Sequence, residues 1–185
     1  MNDEQKRTLL AVARRTIKGQ VTGVKTKPPT SDDPELNEPC GAFVTIHNRG
    51  RLRGCIGTFQ ARGPLIETVH EMAVSATRDP RFVGNPVTAA ELDEIDIEIS
   101  VLSPLRRIEN PLDLELGVHG IYITRGFQTG CFLPQVATET GWTAEQFLSY
   151  CCAHKAGLPA DAWRDPETDV SLFTAEVFGE KEGPP

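Results

Sequence analysis

The chain has 185 residues, 39% of them hydrophobic and 24% charged, with a formal net charge of −7 at pH 7. This acidic balance argues against binding to nucleic acid or to anionic membranes, because both kinds of partner need a basic surface. The chain also lacks a secretory signal and any apolar run near the roughly 20 residues of a membrane span, so we expect a cytoplasmic protein.

The first third of the chain predicts one helix followed by a β-hairpin. Apolar side chains recur on one helical face over residues 4–18, and four prolines over residues 25–39 indicate a surface loop. Two strands, at residues 42–46 and 52–59, then flank the turn-forming residues 48–50. These two strands predict an antiparallel hairpin.

The middle of the chain predicts a second helix and a half-buried strand. Apolar residues spaced by three and four positions over residues 64–76 indicate an amphipathic helix, which the tripeptide Asp-Pro-Arg at residues 79–81 ends. Thr88 and Glu91 have the spacing of a capping box, which predicts a short helical turn. Residues 95–101 alternate isoleucine or valine with polar residues, the pattern of a strand in a sheet covered on one face.

The last part predicts a second hairpin, a helix and a final strand. The hairpin strands are residues 119–124 and 129–133. Thr143 and Gln146 form another capping box at the start of a helix, and the final strand covers residues 172–178. Because strands and helices do not alternate regularly as β-α-β, the order favours an α+β fold with mostly antiparallel sheets.

Five cysteines are an odd number, and no pair has the Cys-x-x-Cys spacing of a disulfide or zinc motif. We therefore expect reduced thiols and no metal site or cofactor. Cys151 and Cys152 lie in an apolar stripe of the predicted helix and are expected in the core. Cys55 is different, because it lies between two glycines on the returning strand of the first hairpin.

The strand around Cys55 also carries a family resemblance. The string Leu-Arg-Gly-Cys-Ile-Gly at residues 52–57, preceded by Gly-Ala-Phe-Val-Thr at 41–45, is similar to the signature of the AMMECR family. Further motifs of that family follow in the same order: Asp-Pro-Arg-Phe at 79–82, Glu-Ile-Ser-Val-Leu at 98–102, Val-His-Gly at 118–120, Leu-Pro-Gln-Val at 133–136 and Lys-Ala-Gly-Leu at 155–158. The resemblance therefore spans nearly the whole chain.

The resemblance implies a single AMMECR-type domain over residues 1–185, with a larger lobe that holds both termini and a smaller inserted lobe. It implies that the signature strand lines a cleft between the lobes. It also implies a link, in bacteria, to Memo-like and radical-SAM proteins as pathway partners. The resemblance does not imply an established reaction.

The site that the sequence predicts is built on Cys55. Strand alternation places Arg53 and Cys55 on one face, where a cation favours the nucleophilic thiolate. Gly54 and Gly57 would leave the backbone beside the sulfur open to a ligand. An equally good interpretation is that Cys55 is a small buried hydrophobe and that the glycines only permit close packing.

Two further side chains, each on a separate predicted strand, complete the predicted catalytic group. His119 is the candidate general base, and Glu98 is the candidate proton acceptor and orienting group. Arg81, with Arg53, could hold a carboxylate or phosphate of a substrate, and Gln135 could place an amide at the rim.

Three functions are compatible with this group of residues. The first is an enzyme that acts on a small or peptide-borne substrate through Cys55. The alternative is a non-catalytic regulatory or binding module that holds a small molecule or peptide in the same cleft. A metal site formed by Cys55, His119 and Glu98 is third, and no ligand spacing favours it.

Overall fold

The computed structural model describes residues 1–181, and it is an α+β structure with two four-stranded antiparallel sheets. It divides into two compact units: Met1–Leu102 together with the C-terminal residues from Glu176, and Ser103–Ala175. No helix among the described residues combines the length and apolar character needed to cross a membrane.

The first unit packs two helices on one face of its sheet. The strand order is β2-β1-β3-β8. The elements of this unit are α1 (Asp3–Thr22), α2 (Pro34–Asn37), β1 (Ala42–Asn48), β2 (Arg51–Thr58), α3 (Leu65–Ala76), β3 (Ile95–Leu102) and β8 (Ala175–Gly179). Short 3-10 turns at Pro80–Phe82 and Ala89–Glu91 connect α3 to β3, and the second turn begins with the predicted capping box of Thr88 and Glu91.

The core of this unit lies between the sheet and the two long helices. The alternate residues of β1 and β3 that face α1 and α3 are fully buried. They are Val44, Ile46, Ile97 and Ile99. Because side chains alternate along a strand, the intervening residues of β1 and β3 project from the opposite face of the sheet.

The first hairpin confirms the predicted turn but contains one irregularity. Arg49 and Gly50 both have positive φ, 51° and 76°, the conformation of a tight hairpin turn. Farther along β2, Ile46 pairs with Gly54 while His47 pairs with Leu52, so Arg53 is an extra residue in a β-bulge. The bulge reverses the alternation, and Leu52 therefore shares a face with Cys55.

The second unit has its own sheet and core, with the strand order β4-β7-β5-β6. Its elements are β4 (Arg106–Arg107), β5 (Gly120–Arg125), β6 (Gln128–Phe132), α4 (Pro134–Thr140), α5 (Ala144–Cys151) and β7 (Asp169–Phe173). A π-helical turn at Cys152–Ala156 extends α5. The predicted capping box at Thr143 is present, and Cys151 and Cys152 are fully buried, as predicted.

The prediction of one final strand over residues 172–178 is wrong. Thr174 lies outside any strand, and it separates β7, which belongs to the second sheet, from β8, which belongs to the first. Apolar and β-branched residues occur on both sides of the break, so the sequence predicts one continuous strand. No proline or glycine marks the break at Thr174.

Candidate functional site

Cys55 lies in a row of three side chains that crosses the sheet of the first unit. Thr45 on β1 is paired with Cys55 on one side and with Glu98 on the other. Directly opposed residues of an antiparallel pair project from the same face. Cys55, Thr45 and Glu98 therefore share the face opposite α1 and α3, with Thr45 between the other two.

The register also fixes what Cys55 can contact directly. Thr45 is buried, and its hydroxyl donates a hydrogen bond to Cys55 Sγ at 3.3 Å. Cys55 and Glu98 lie two strands apart, about 10 Å at the backbone. The immediate polar partner of the thiol within the row is thus Thr45, a residue that no sequence pattern singled out.

A second contact to Cys55 comes from the Asp-Pro-Arg-Phe segment that follows α3. Asp79 caps the 3-10 turn Pro80–Phe82, and its carboxylate accepts hydrogen bonds from the backbone N–H of Arg81 at 3.0 Å and of Cys55 at 2.9 Å. Arg81 donates to the same carboxylate through Nε at 3.0 Å and through Nη2 at 2.6 Å. Nη2 also donates to the carbonyl oxygen of Cys55 at 3.1 Å.

These bonds hold the Arg81 guanidinium beside residue 55. The Asp79 side chain is 1% exposed whereas that of Arg81 is 56% exposed. Hydrogen bonding to Arg81 lowers the pKa of Asp79 to about 2, against the opposing effect of burial. Hydrogen bonding to Asp79 raises the pKa of Arg81, and interactions with the Cys55 thiol raise it further. The thiol therefore lies within the electrostatic reach of a fixed cation.

Arg53 is not that cation, which corrects the prediction from strand alternation. Because Arg53 occupies the bulge, its side chain reaches Glu91, with Nε–Oε1 at 3.0 Å and Nη2–Oε2 at 3.1 Å. It also donates to the carbonyl oxygens of Asn85 and Pro86. Arg53 thus ties β2 to the segment before β3, and the bond from its guanidinium lowers the pKa of Glu91 to about 2.

Gly54 and Gly57 do not open the backbone to a ligand, which corrects a second prediction. A Cβ at Gly54 would lie 2.2 Å from the carbonyl oxygen of Ala76, at the end of α3. A Cβ at Gly57 would lie 2.2 Å from the ring of Phe43, which covers that position. Packing within the first unit therefore accounts for both glycines, as the competing interpretation expected.

His119 and Gln135 both belong to the second unit. His119 precedes β5, and its Nδ1 accepts a hydrogen bond from the backbone N–H of Glu115 at 3.0 Å. The neutral ring therefore carries its proton on Nε2, which makes that nitrogen a donor rather than a base. Gln135 lies in the first turn of α4, where its carbonyl oxygen accepts from Thr138. Their predicted roles toward a substrate stay predictions.

Burial favours the neutral thiol at three cysteines: Cys40, Cys151 and Cys152. Burial raises the pKa of Cys40, of Cys151 and of Cys152 above the ordinary value, most strongly for Cys151. Cys55 is only partly buried. Among residues 1–181, no group of three or more His, Cys, Asp or Glu side chains is arranged to hold a metal ion.

Comparison with known proteins gives consistent matches over almost the whole chain. The AMMECR1 family model matches residues 10–178. A protein of Methanothermobacter thermautotrophicus is 44% identical, over 97% of this chain and 96% of its own length. A protein of Thermococcus gammatolerans is 43% identical, over 98% of this chain and 93% of its own length.

A solved structure matches equally completely. The crystal structure of the uncharacterized protein PH0010 from Pyrococcus horikoshii superposes with a TM-score of 0.88 at 39% identity, and the match covers 98% of this chain and 94% of that one. The family match, the two relatives and this structure agree over the same stretch of sequence. The chain therefore belongs to the AMMECR1 family.

Proposed function

We propose that this protein is an enzyme in which Cys55 is the nucleophile toward an electrophilic carbon of a small or peptide-borne substrate. The observation that carries the proposal is the setting of Cys55 in the first unit. Its sulfur accepts a hydrogen bond from Thr45, and Arg81 is fixed beside it by Asp79. The thiolate is the reactive form of a cysteine, and a hydrogen-bond donor and a guanidinium beside the residue are contacts that a nucleophilic sulfur can use.

We assign Glu98 as the final acceptor of the thiol proton, by way of Thr45, because the three side chains share one face of the sheet. In the proposed step, the thiol proton of Cys55 passes to the Thr45 oxygen while the Thr45 proton passes to the carboxylate of Glu98. The sulfur then gives its electron pair to the substrate carbon and a sulfur–carbon bond forms, while the bond from that carbon to its leaving group breaks and its electron pair departs with that group. The Thr45 hydroxyl ends as a donor to the sulfur, which is the direction of the hydrogen bond described above.

His119 has no part in this step. It belongs to the second unit, and its Nδ1 accepts the Glu115 N–H, so its role toward a substrate stays a prediction.

The proposal predicts selective alkylation. We expect iodoacetamide to modify Cys55 at least about tenfold faster than Cys40, Cys151 or Cys152 near neutral pH, since thiolate content and access set the rate. Thr45→Val removes the donor and should slow the reaction at Cys55 several-fold. Peptide mass spectrometry of a timed labelling series measures each cysteine separately, and equal, slow labelling of all four would contradict the proposal.

The competing function is a binding module in which Cys55 is not a nucleophile. The fixed Arg81 favours it, because the guanidinium could hold a ligand with or without a reactive thiol. Cys55→Ser separates the two functions, since a binding module keeps its ligand affinity in this variant whereas the enzyme loses its covalent step.

A further inference from the structure

We infer that the substrate carries an anionic oxygen group, a carboxylate or a phosphate, that Arg81 binds directly beside the sulfur of Cys55. This inference rests on the proposed function and names the class of substrate for that site. It assigns Arg81 as the binding residue and Asp79 as the residue that positions it.

Arg81 is preorganised to bind a ligand. A free arginine side chain must give up several rotamers before it can hold a ligand. Here the side chain is already fixed by two bonds to Asp79 and by one to the carbonyl oxygen of Cys55. The Arg81 guanidinium also lies over the ring of Phe82, 5.8 Å from its centroid. The entropy cost of ordering this group is therefore met by folding, before any ligand binds.

The Arg81 guanidinium keeps hydrogen-bonding capacity for a ligand. The bonds to Asp79 and Cys55 use Nε and Nη2, and they leave out the two N–H groups of Nη1. More than half of the side-chain surface, 56%, is exposed. Each N–H group of Nη1 can donate a single hydrogen bond to an oxygen of a carboxylate or a phosphate.

Arg81 also lies next to residue 55. Nη2 lies 3.1 Å from the carbonyl oxygen of Cys55, and the thiol contributes to raising the pKa of Arg81. An anion on the same guanidinium would therefore lie next to residue 55. A substrate whose reactive carbon is one or two bonds from its anionic group would bring that carbon to Cys55.

The buried Asp79 also sets the expected strength of this binding. Its negative charge offsets that of Arg81, so the site attracts anions through directed hydrogen bonds more than through long-range charge. Interactions between charges farther apart than about 8 Å are largely screened at physiological salt. The preference for an anion should therefore persist at about 0.15 M salt, the ionic strength at which the screening length is about 8 Å.

Two alkylating reagents of similar size test the inference on the intact protein. Iodoacetate carries a carboxylate next to its reactive carbon, whereas iodoacetamide is neutral. With either reagent the sulfur–carbon bond of Cys55 forms, the carbon–iodine bond breaks, iodide leaves and the thiol proton goes to solvent. The ratio of the two rates cancels any change in the intrinsic reactivity of the thiol.

We expect Arg81→Gln to lower the iodoacetate-to-iodoacetamide ratio at Cys55 about tenfold, which corresponds to about 1.4 kcal/mol. Asp79→Asn should lower the ratio several-fold, because the loss of the bonds that hold Arg81 outweighs the positive charge that Asp79 no longer offsets. Arg51→Gln is the matched control, because it changes an exposed arginine on β2, the strand that holds Cys55. It should leave the ratio unchanged. A ratio that is the same in wild type and Arg81→Gln would overturn the inference.

A second measurement does not depend on thiol reactivity. We expect two resonances of 15N-labelled Cys55→Ser protein to shift when inorganic phosphate is added: the Nε–H of Arg81 and the backbone N–H of residue 55. Both shifts should saturate. In Cys55→Ser/Arg81→Gln the shift of residue 55 should be absent. Linear, unsaturated shifts in both proteins would reject the anion site. If phosphate binds but iodoacetamide leaves Cys55 unmodified, the proposed nucleophile fails while the anion site holds. If Cys55 reacts rapidly without a preference for iodoacetate, the proposed nucleophile holds while the anion site fails.

Discussion

Gly54→Ala is expected to destabilise the protein by about 3 kcal/mol or more, at the upper end of overpacking effects. The new methyl group would lie 2.2 Å from the carbonyl oxygen of Ala76, far inside van der Waals contact. This oxygen belongs to the backbone at the end of α3, so relief requires β2 or the helix to move. Urea unfolding at neutral pH, compared with wild type, measures the loss.

Two other glycines calibrate this prediction. Gly84→Ala introduces a methyl group with no atom within 4 Å and should change the free energy of unfolding by no more than about 0.5 kcal/mol. Gly57→Ala meets the ring of Phe43, a side chain that can rotate, so its cost should fall between the other two. Equal stabilities for the Gly54 and Gly84 variants would show that β2 does not pack on α3 as described.

Asp79→Asn is expected to reduce the acid sensitivity of the first unit. The pKa of Asp79 falls from 3.8 to about 2 in the folded protein. A carboxyl group with a depressed folded pKa stabilises the fold above its unfolded pKa, and this contribution is lost as the pH falls toward the folded pKa. The shift corresponds to about 2 kcal/mol, lost between pH about 4 and pH about 2.

The measurement is the free energy of urea unfolding as a function of pH for wild type and Asp79→Asn. Other carboxylates with depressed pKa, such as Glu91, act in both proteins, so the difference between the two curves isolates Asp79. The variant should be less stable at neutral pH, and the two curves should converge as the pH decreases. Curves that stay parallel over this range would mean that Asp79 is not held by Arg81.

Much of the fold was predictable because local signals determine it. The alternation over residues 95–101 gave β3, and the turn residues Asn48 to Gly50 gave the first hairpin. The capping boxes at Thr88 and Thr143 mark true helical starts. The Arg53 bulge was not predictable, since an inserted residue leaves no trace in a strand whose partner register is unknown.

The site was predictable only in part, because its geometry depends on pairing between distant strands. Cys55 and Glu98 could be selected from the sequence, but only the register reveals that Thr45 lies between them. Asp79 was interpreted as the end of a helix, although its position in the Asp-Pro-Arg-Phe motif was a usable signal. The predicted cleft, the Memo-like and radical-SAM partners and the cytoplasmic location stay predictions.

The contacts of Asp79 and Arg81 with the backbone of Cys55 also have a consequence for solubility. β2 is an edge strand of its sheet. The N–H and carbonyl oxygen of Cys55 point away from β1, toward the open edge. Exposed groups of this kind on an outer strand invite pairing with a strand of another molecule and hence aggregation. Asp79 and Arg81 occupy both groups, so the same two side chains that shape the thiol site also keep the chain from self-association at that point.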